Sequence, residues 1–285
     1  MTTTLKTITV LGAGGKMGMR ISANFQSSDY QVFYCENSPR AQEQVAALGR
    51  EISDADTVVP HSDVVILAVP DIALGAVSTA IVPKMKAGAV LLTLDPAAAY
   101  ANLIAQRDDI KYAVAHPCHP SVFLERYTKE EHADAFGGIA AIQHVAASYE
   151  QGSDAERTEL AKVVSVMYGP VEQVHWVSVK QLAYLEPTLV ETVACMVGSF
   201  MKEALDETVK SCGVPEEAAK AMLYGHIQIA LAVAFRSTNP FSDACMIAME
   251  YGREKIIKED WKQIFEEKEL DIVIARMLKI EAIKR

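Results

Sequence analysis

The stretch that most limits what this chain can fold into is Thr7–Gly18, T-I-T-V-L-G-A-G-G-K-M-G. Thr7 to Leu11 is β-branched or apolar throughout, as in a strand buried within a parallel sheet. Glycines then fall at Gly12, Gly14, Gly15 and Gly18, and Met17, Ile21 and Phe25 follow at helical spacing. A strand, a tight glycine turn and a helix start let backbone approach a pyrophosphate while free helix N–H groups face its charge. The spacing departs from G-x-G-x-x-G, because Met17 stands where the third glycine belongs. It reads instead as G-x-G-x-x-x-G or G-x-x-G-x-x-G. Gly12, Ala13, Gly14, Gly15, Lys16 and Met17 are the expected cofactor contacts. A glycine loop with only a structural role is the competing reading.

The next strand-like run, Gln31–Cys35, ends in Glu36. A carboxylate about 20 residues past the glycines suits the ribose hydroxyls of NAD and repels the extra phosphate of NADP. Arg40 is the one nearby residue that favours NADP. A third run, Asp63–Val69, is followed by Pro70 and Asp71, with Asp71 placed to cap a helix over 72–82. In a doubly wound sheet this strand end faces the cofactor, so Val69, Pro70 and Asp71 are expected beside the nicotinamide ribose.

Strands are also expected over 89–94 and 112–115, with shorter ones over 54–59 and 137–144. Strands alternating with helices indicate a parallel sheet with helices on both faces. Composition turns polar at Ala147–Asp154, and beyond it the pattern is mostly helical, apart from an extended piece at 171–176. The expected fold is therefore α/β: a Rossmann-type doubly wound parallel sheet over residues 1–150, then an all-helical C-terminal domain over 151–285. Residues 178–212 read as one helix kinked at Pro187 and stopped by Gly213. Residues 216–235 are too apolar for an exposed helix and are expected in the domain core or a subunit interface.

Half of the 285 residues are apolar and the net charge is −10. The charge argues against nucleic acid or an anionic membrane as partner. No apolar run is read as reaching membrane-spanning length, and no basic-then-apolar leader precedes the first strand. The five cysteines, Cys35, Cys118, Cys195, Cys212 and Cys245, form no zinc-ribbon or disulfide pattern. A reducing cytoplasm is the expected compartment.

Chemistry concentrates at two places. Ala115–Pro120, A-H-P-C-H-P, holds two imidazoles in a proline-stiffened turn after a strand. They suit metal binding, proton transfer or contact with a carboxylate, or stand as exposed histidines of a rigid turn. His116, nearer the strand end, is the one expected to face the cleft. Glu186 shares a helical lane with Ala183, Val190, Ala194, Val197 and Met201, which takes it out of bulk water. A buried carboxylate must be paired, protonated or metal-bound. Lys180 is placed to polarise a hydroxyl during hydride transfer, or else is a surface lysine. His226, on an apolar face, reads as a core residue. The segment Arg236, Ser237, Thr238 and Asn239 offers positive charge for a carboxylate substrate, or simply ends a helix.

G-A-G-G-K-M-G, A-H-P-C-H-P-S-V-F and Y-L-E-P-T-L-V-E-T together resemble the β-hydroxyacid and 6-phosphogluconate dehydrogenase superfamily. They are most similar to a smaller branch described as semialdehyde- or phosphogluconate-dehydrogenase-like. The likeness covers nearly the whole chain. It lacks the lysine–asparagine pattern of the hydroxyisobutyrate branch, so that branch's roles are not carried onto Lys180. The resemblance implies NAD-dependent oxidation of a branched sugar acid, coupled to rearrangement of its skeleton to a 3-oxo acid. It also implies that His116 and Glu186 reach one divalent ion, zinc or similar, or hold the substrate oxygens directly. A homodimer through the helical domain is expected. Two readings compete: a simple hydroxyacid or semialdehyde dehydrogenase without isomerisation, and a non-catalytic dinucleotide-binding redox sensor.

Overall fold

The computed structural model describes residues 4–237 and 239–284. The strands are β1 Thr7–Leu11, β2 Gln31–Cys35, β3 Val64–Leu67, β4 Val90–Thr93, β5 Lys111–Pro117, β6 Gln143–Ser148 and β7 Val171–Trp176. They form one sheet in the order β2-β1-β3-β4-β5-β6-β7. Every residue of β3 and β4 is buried, as unbroken apolar runs in a sheet covered on both faces must be. The chain leaves β1 to one side for β2 and returns on the other for β3. The topological switch point therefore lies at the carboxyl ends of β1 and β3, where such sheets bind ligands.

Two expected elements change. Residues 54–59 are not a strand: Asp54 accepts the Thr57 N–H at 3.1 Å and starts the helix Ala55–Val58, followed by a 3-10 turn Val59–His61. A side-chain cap here outweighs the β-propensity of Val58 and Val59. The strand expected over 137–144 begins only at Gln143. Gly137 and Gly138 both take positive φ, and Asp134 gathers the N–H groups of Ile139, Ala140 and Ala141 into a loop. This strand also runs antiparallel to β5, so the sheet is mostly rather than wholly parallel.

Two compact units emerge, Met1–Glu186 with Asp271–Arg285, and Pro187–Leu270. The first continues beyond residue 150, where the sequence placed the end of the cofactor domain. The helix Asp154–Tyr168, opened by a Ser153–Glu156 capping box, packs on the helix Lys16–Phe25, and β7 extends the sheet. Leu160, Val163, Val164 and Met167 from that helix complete the main core with Ile8, Val10, Ile66 and Leu92.

The long helix predicted over 178–212 is continuous but not uniform. Val179–Ala183 is α-helical, Tyr184–Cys195 is π-helical and Met196–Cys212 is α-helical again, ended by Gly213 at φ 68°. Pro187 is accommodated inside the π segment, where the hydrogen-bond ladder has already left α register. The second unit is helical, with Glu216–Arg236 and Asp243–Ile256 following Met196–Cys212. Across these three helices Leu205 and Ala219 are the buried residues. Glu216–Arg236, with mean hydropathy 1.3 over its most apolar window, is long and apolar enough by length and composition to cross a membrane. That corrects the expectation that no run reaches that length.

Candidate active site

The glycine turn is shaped by close approaches. Gly12 sits at φ 81°, and a Cβ on it would lie 2.5 Å from the Ala68 carbonyl and 2.9 Å from Val69. The end of β3 therefore abuts the turn directly, with Pro70 and Asp71 next in the chain. Gly18, not position 17, makes the tight helix contact: its Cβ would fall 2.0 Å from the Gly12 carbonyl. Met17 is consequently free to be large, and G-x-G-x-x-x-G is the operative spacing. The helix Lys16–Phe25 has no side-chain hydrogen bond at its N-cap, Gly15. Its first-turn N–H groups face the switch point, as a pyrophosphate site requires. Ala13 is buried, and the Gly12 and Ala13 N–H groups both bond the Cys35 carbonyl, at 2.9 and 3.1 Å.

Glu36 closes this corner. Its carboxylate accepts the Gly14 N–H at 3.0 Å and those of Asn37 and Ser38 at 2.9 Å each. Asp71 differs from its predicted role. The helix Asp71–Ile81 has Pro70 at its N-cap, so Asp71 is the first helical residue and not the cap. A carboxylate in that first turn is favoured by the helix dipole.

The second group of residues follows from strand register. β4 and β5 pair in parallel with Thr93 opposite Val114. Two residues further along each, on the same face, come Asp95 and His116. The helix Val179–Ala183 lies on this face, its Leu182 packed with Val114 and Ala146. Glu186 follows Leu182 by four residues, so it stacks one turn further along, above the strand end that carries His116. Asp95, His116 and Glu186 each offer a ligand atom within 4.8 Å of the others. Glu186 is 5% exposed, whereas Val190 and Val197, on the apolar lane expected to take it out of water, are 41% and 40% exposed, so that lane is not what buries it.

The imidazole is oriented by its surroundings. Its Nδ1–H donates to the Leu94 carbonyl at 3.0 Å, which leaves Nε2 as the lone-pair nitrogen. Burial, the largest cause, holds its pKa below the ordinary 6.5, partly opposed by the Asp95 charge and the Leu94 carbonyl. His119 stands edge-on to His116 with ring centroids 6.3 Å apart, and its Nδ1–H donates to the Phe136 carbonyl at 2.8 Å. Two carboxylates and one neutral, carbonyl-tethered imidazole are a donor set that fits a divalent ion.

Asp95 was missed in the sequence, where it merely follows the strand expected over 89–94. Its parallel register with His116 is the fact that reveals it. Lys180 is exposed in the first turn of Val179–Ala183. His226 is exposed rather than in a core; its Nδ1–H donates to the Met222 carbonyl, one turn back, at 2.8 Å. In the segment 236–239, Arg236 ends its helix, and Thr238 lies outside the described residues. Cys118 does not have the character of an activated thiol. Desolvation holds its pKa above 9.0, against a backbone hydrogen bond at Ala146.

A dinucleotide turn at the switch point, with an imidazole at the end of β5 between a carboxylate following β4 and one on the helix above, is the layout of a Rossmann-type NAD-dependent oxidoreductase. Residues 2–94 match the NAD-binding domain of D-isomer-specific 2-hydroxyacid dehydrogenases. Residues 124–278 match the C-terminal domain of decarboxylating phosphogluconate dehydrogenase. The chain is 81% identical to the D-apionate oxidoisomerase of Pectobacterium atrosepticum, over the whole of both chains. It is 40% identical to that of Cupriavidus necator, over 95% of this chain and 98% of the other. The chain belongs to the D-apionate oxidoisomerase family. A crystal structure of a semialdehyde dehydrogenase NAD-binding protein from Cupriavidus necator, in complex with calcium and NAD, superposes with a TM-score of 0.92. It is 39% identical, with 95% of this chain and 99% of that one covered. The fold extends to an NADH-preferring ketol-acid reductoisomerase from an uncultured archean, at 20% identity and a TM-score of 0.63, covering 96% of this chain and 82% of that one.

Proposed function

We propose that this enzyme oxidises D-apionate with NAD and rearranges the product to 3-oxo-isoapionate. The observation that carries the reading is the convergence of Asp95, His116 and Glu186 within 4.8 Å in a sheet whose switch point is built for a dinucleotide. NAD lies along Gly12–Met17, with its adenosine ribose at Glu36 and its nicotinamide ribose near Val69, Pro70 and Asp71. The carbinol carbon beside the substrate carboxylate gives its hydride to the nicotinamide, and its hydroxyl proton passes to Glu186. The new carbonyl is then attacked intramolecularly. The neighbouring carbon loses its own hydroxyl proton and becomes a ketone, one of its carbon substituents migrates with the bonding pair to the former carbonyl carbon, and the former carbonyl oxygen, now an alkoxide, takes up the proton. The result is a 3-oxo acid with a changed skeleton.

Both steps develop negative charge on substrate oxygens, and preorganised electrophiles there lower the barrier. Asp95, His116 and Glu186 would hold a divalent ion, which supplies Lewis-acid stabilisation of those oxygens. The imidazole favours zinc or manganese over calcium, although the solved relative is described with calcium. Lys180, on the helical run leading to Glu186, contributes positive charge toward the substrate hydroxyl. Product analysis tests the whole reading. NADH formed together with a 3-oxo acid supports it, whereas an unrearranged 2-oxo acid supports the simple dehydrogenase.

The assembly is a homodimer through the helical unit. Phe200, Met222, Tyr224, Ile229, Ile247 and Tyr251 are all exposed on helices that bury almost nothing within one chain. A second copy completes that core, which light scattering checks directly. The five cysteines, all unpaired, suit a reducing cytoplasm.

A further inference from the structure

Away from the site, β6 and β7 bring together a second group of metal-ligating side chains. The strands pair in parallel with Ala146 opposite His175, and His144 lies two residues before Ala146. His144 and His175 therefore share one face of the sheet as diagonal cross-strand neighbours. His144 Nδ1 and His175 Nε2 are 3.0 Å apart, with the rings tilted by 30° and their centroids 5.1 Å apart. On the far side of His144, Nε2 is 3.3 Å from the Glu172 carboxylate.

The negative carboxylate beside Nε2 favours the proton on that nitrogen, which places the lone pair of His144 on Nδ1, beside His175. With that tautomer, His175 Nε2–H is the donor of the 3.0 Å contact to His144 Nδ1. Exchange of this proton for one on Nδ1, through solvent at an exposed ring, leaves a lone pair on each of the two facing nitrogens, and a rotation of the rings off the N–N line aims both at one ion. At ordinary zinc–nitrogen distances of about 2.0–2.1 Å, two nitrogens 3.0 Å apart subtend roughly 95° at the ion. That angle is close to a cis pair of octahedral ligands and opens to tetrahedral with a shift of a few tenths of an ångström. Glu172 then plays the part of the carboxylate that orients and strengthens a ligating histidine.

We propose that His144 and His175 form a peripheral site for a borderline divalent transition metal such as zinc, nickel or copper, oriented by Glu172 and completed by water. It is separate from the Asp95–His116–Glu186 group and independent of the reaction assigned there. Its effect is to tie the edge strand β7 to β6. Two imidazoles exclude calcium and magnesium as occupants, which want oxygen ligands.

Calorimetric titration of the chelator-stripped full-length His116→Ala variant with zinc tests this. One equivalent binds to His116→Ala, and binding is lost in His116→Ala/His144→Ala and His116→Ala/His175→Gln. Glu172→Gln in the same background weakens it about tenfold. Zinc raises the melting temperature of His116→Ala but not of the two double variants. The same pair of substitutions in the otherwise unchanged chain lowers zinc stoichiometry by one, which keeps the test valid if His116→Ala misfolds. Copper loaded at one equivalent shows hyperfine coupling to two imidazole nitrogens by electron paramagnetic resonance. Stoichiometry unaffected by either histidine substitution overturns the proposal.

Discussion

The two compact units bury their apolar residues very differently. In the first, the side chains of β1, β3, β4 and β5 that point inward are almost wholly buried, and the helix Asp154–Tyr168 adds four more fully covered apolar residues. In the second, three helices of comparable apolar content leave Met222, Ile229, Phe235, Met246 and Ile247 exposed. Burial on this scale is worth about 25 cal/mol per Å² of apolar surface. The first unit therefore holds its own stability, and the second depends on what covers it. The reactive residues follow the same division: Asp95, His116 and Glu186 all belong to the self-sufficient unit.

The largest effect expected is on chemistry in that unit. His116→Ala should lower turnover about a thousandfold, ~4 kcal/mol of transition-state stabilisation, with little change in melting temperature. Steady-state kinetics beside a thermal melt check this, and unchanged turnover would remove the site. Next comes the packing contrast. Leu182→Ala opens a cavity against Val114 and Ala146 and should cost about 2–5 kcal/mol at any protein concentration. Ile229→Glu should instead make stability strongly concentration-dependent and shift the protein toward monomer. If Ile229→Glu behaves as a concentration-independent core lesion, the division drawn above fails.

A smaller effect is the response to pH. The folded His116 resists protonation, whereas the unfolded chain takes up that proton at its ordinary pKa of 6.5. The unfolded state thus binds more protons below pH 6.5. The contribution is complete above that value and is lost as pH falls through the lower folded pKa. Denaturation at stepped pH should show this loss in the parent enzyme and a flatter curve in His116→Gln. The smallest effect concerns Lys111–Glu156, a tie between β5 and the helix Asp154–Tyr168. The Lys111 hydrogen bond, the largest cause, takes the Glu156 pKa to about 2. Both groups are partly solvated, so Lys111→Met should cost under about 1 kcal/mol, present above pH 4.5 and fading as pH approaches 2. Denaturant melts at pH 7 and pH 3 measure it.

What could be read from the sequence was local. The β1 turn and Glu36 at the end of β2 follow from spacing within one element, whereas Glu186 is buried although Val190 and Val197 of its own lane are exposed. Asp95 was hidden because it meets His116 only through the register of two strands, and register is not written in either strand alone. Counting residues left G-x-G-x-x-x-G and G-x-x-G-x-x-G both open, and the distance from Gly18 to the Gly12 carbonyl decides for the first. The antiparallel β6 was unreadable because strand direction depends on where the Asp134 loop returns the chain. The apolar run over 216–236 announced burial but could not say whether one chain supplies it.

Leu182 is where endurance and reactivity become one trait. The side chain that seals the sheet face over Val114 also sets the height of Glu186 one turn on. A library ranked by heat resistance alone will treat that position as an ordinary plug, and accept any substitute that fills the same volume. Among those substitutes, the ones that tilt the helix will survive the screen and still fail as enzymes. Stabilising changes elsewhere will not restore them, since the lost quantity is an alignment and not a margin of folding.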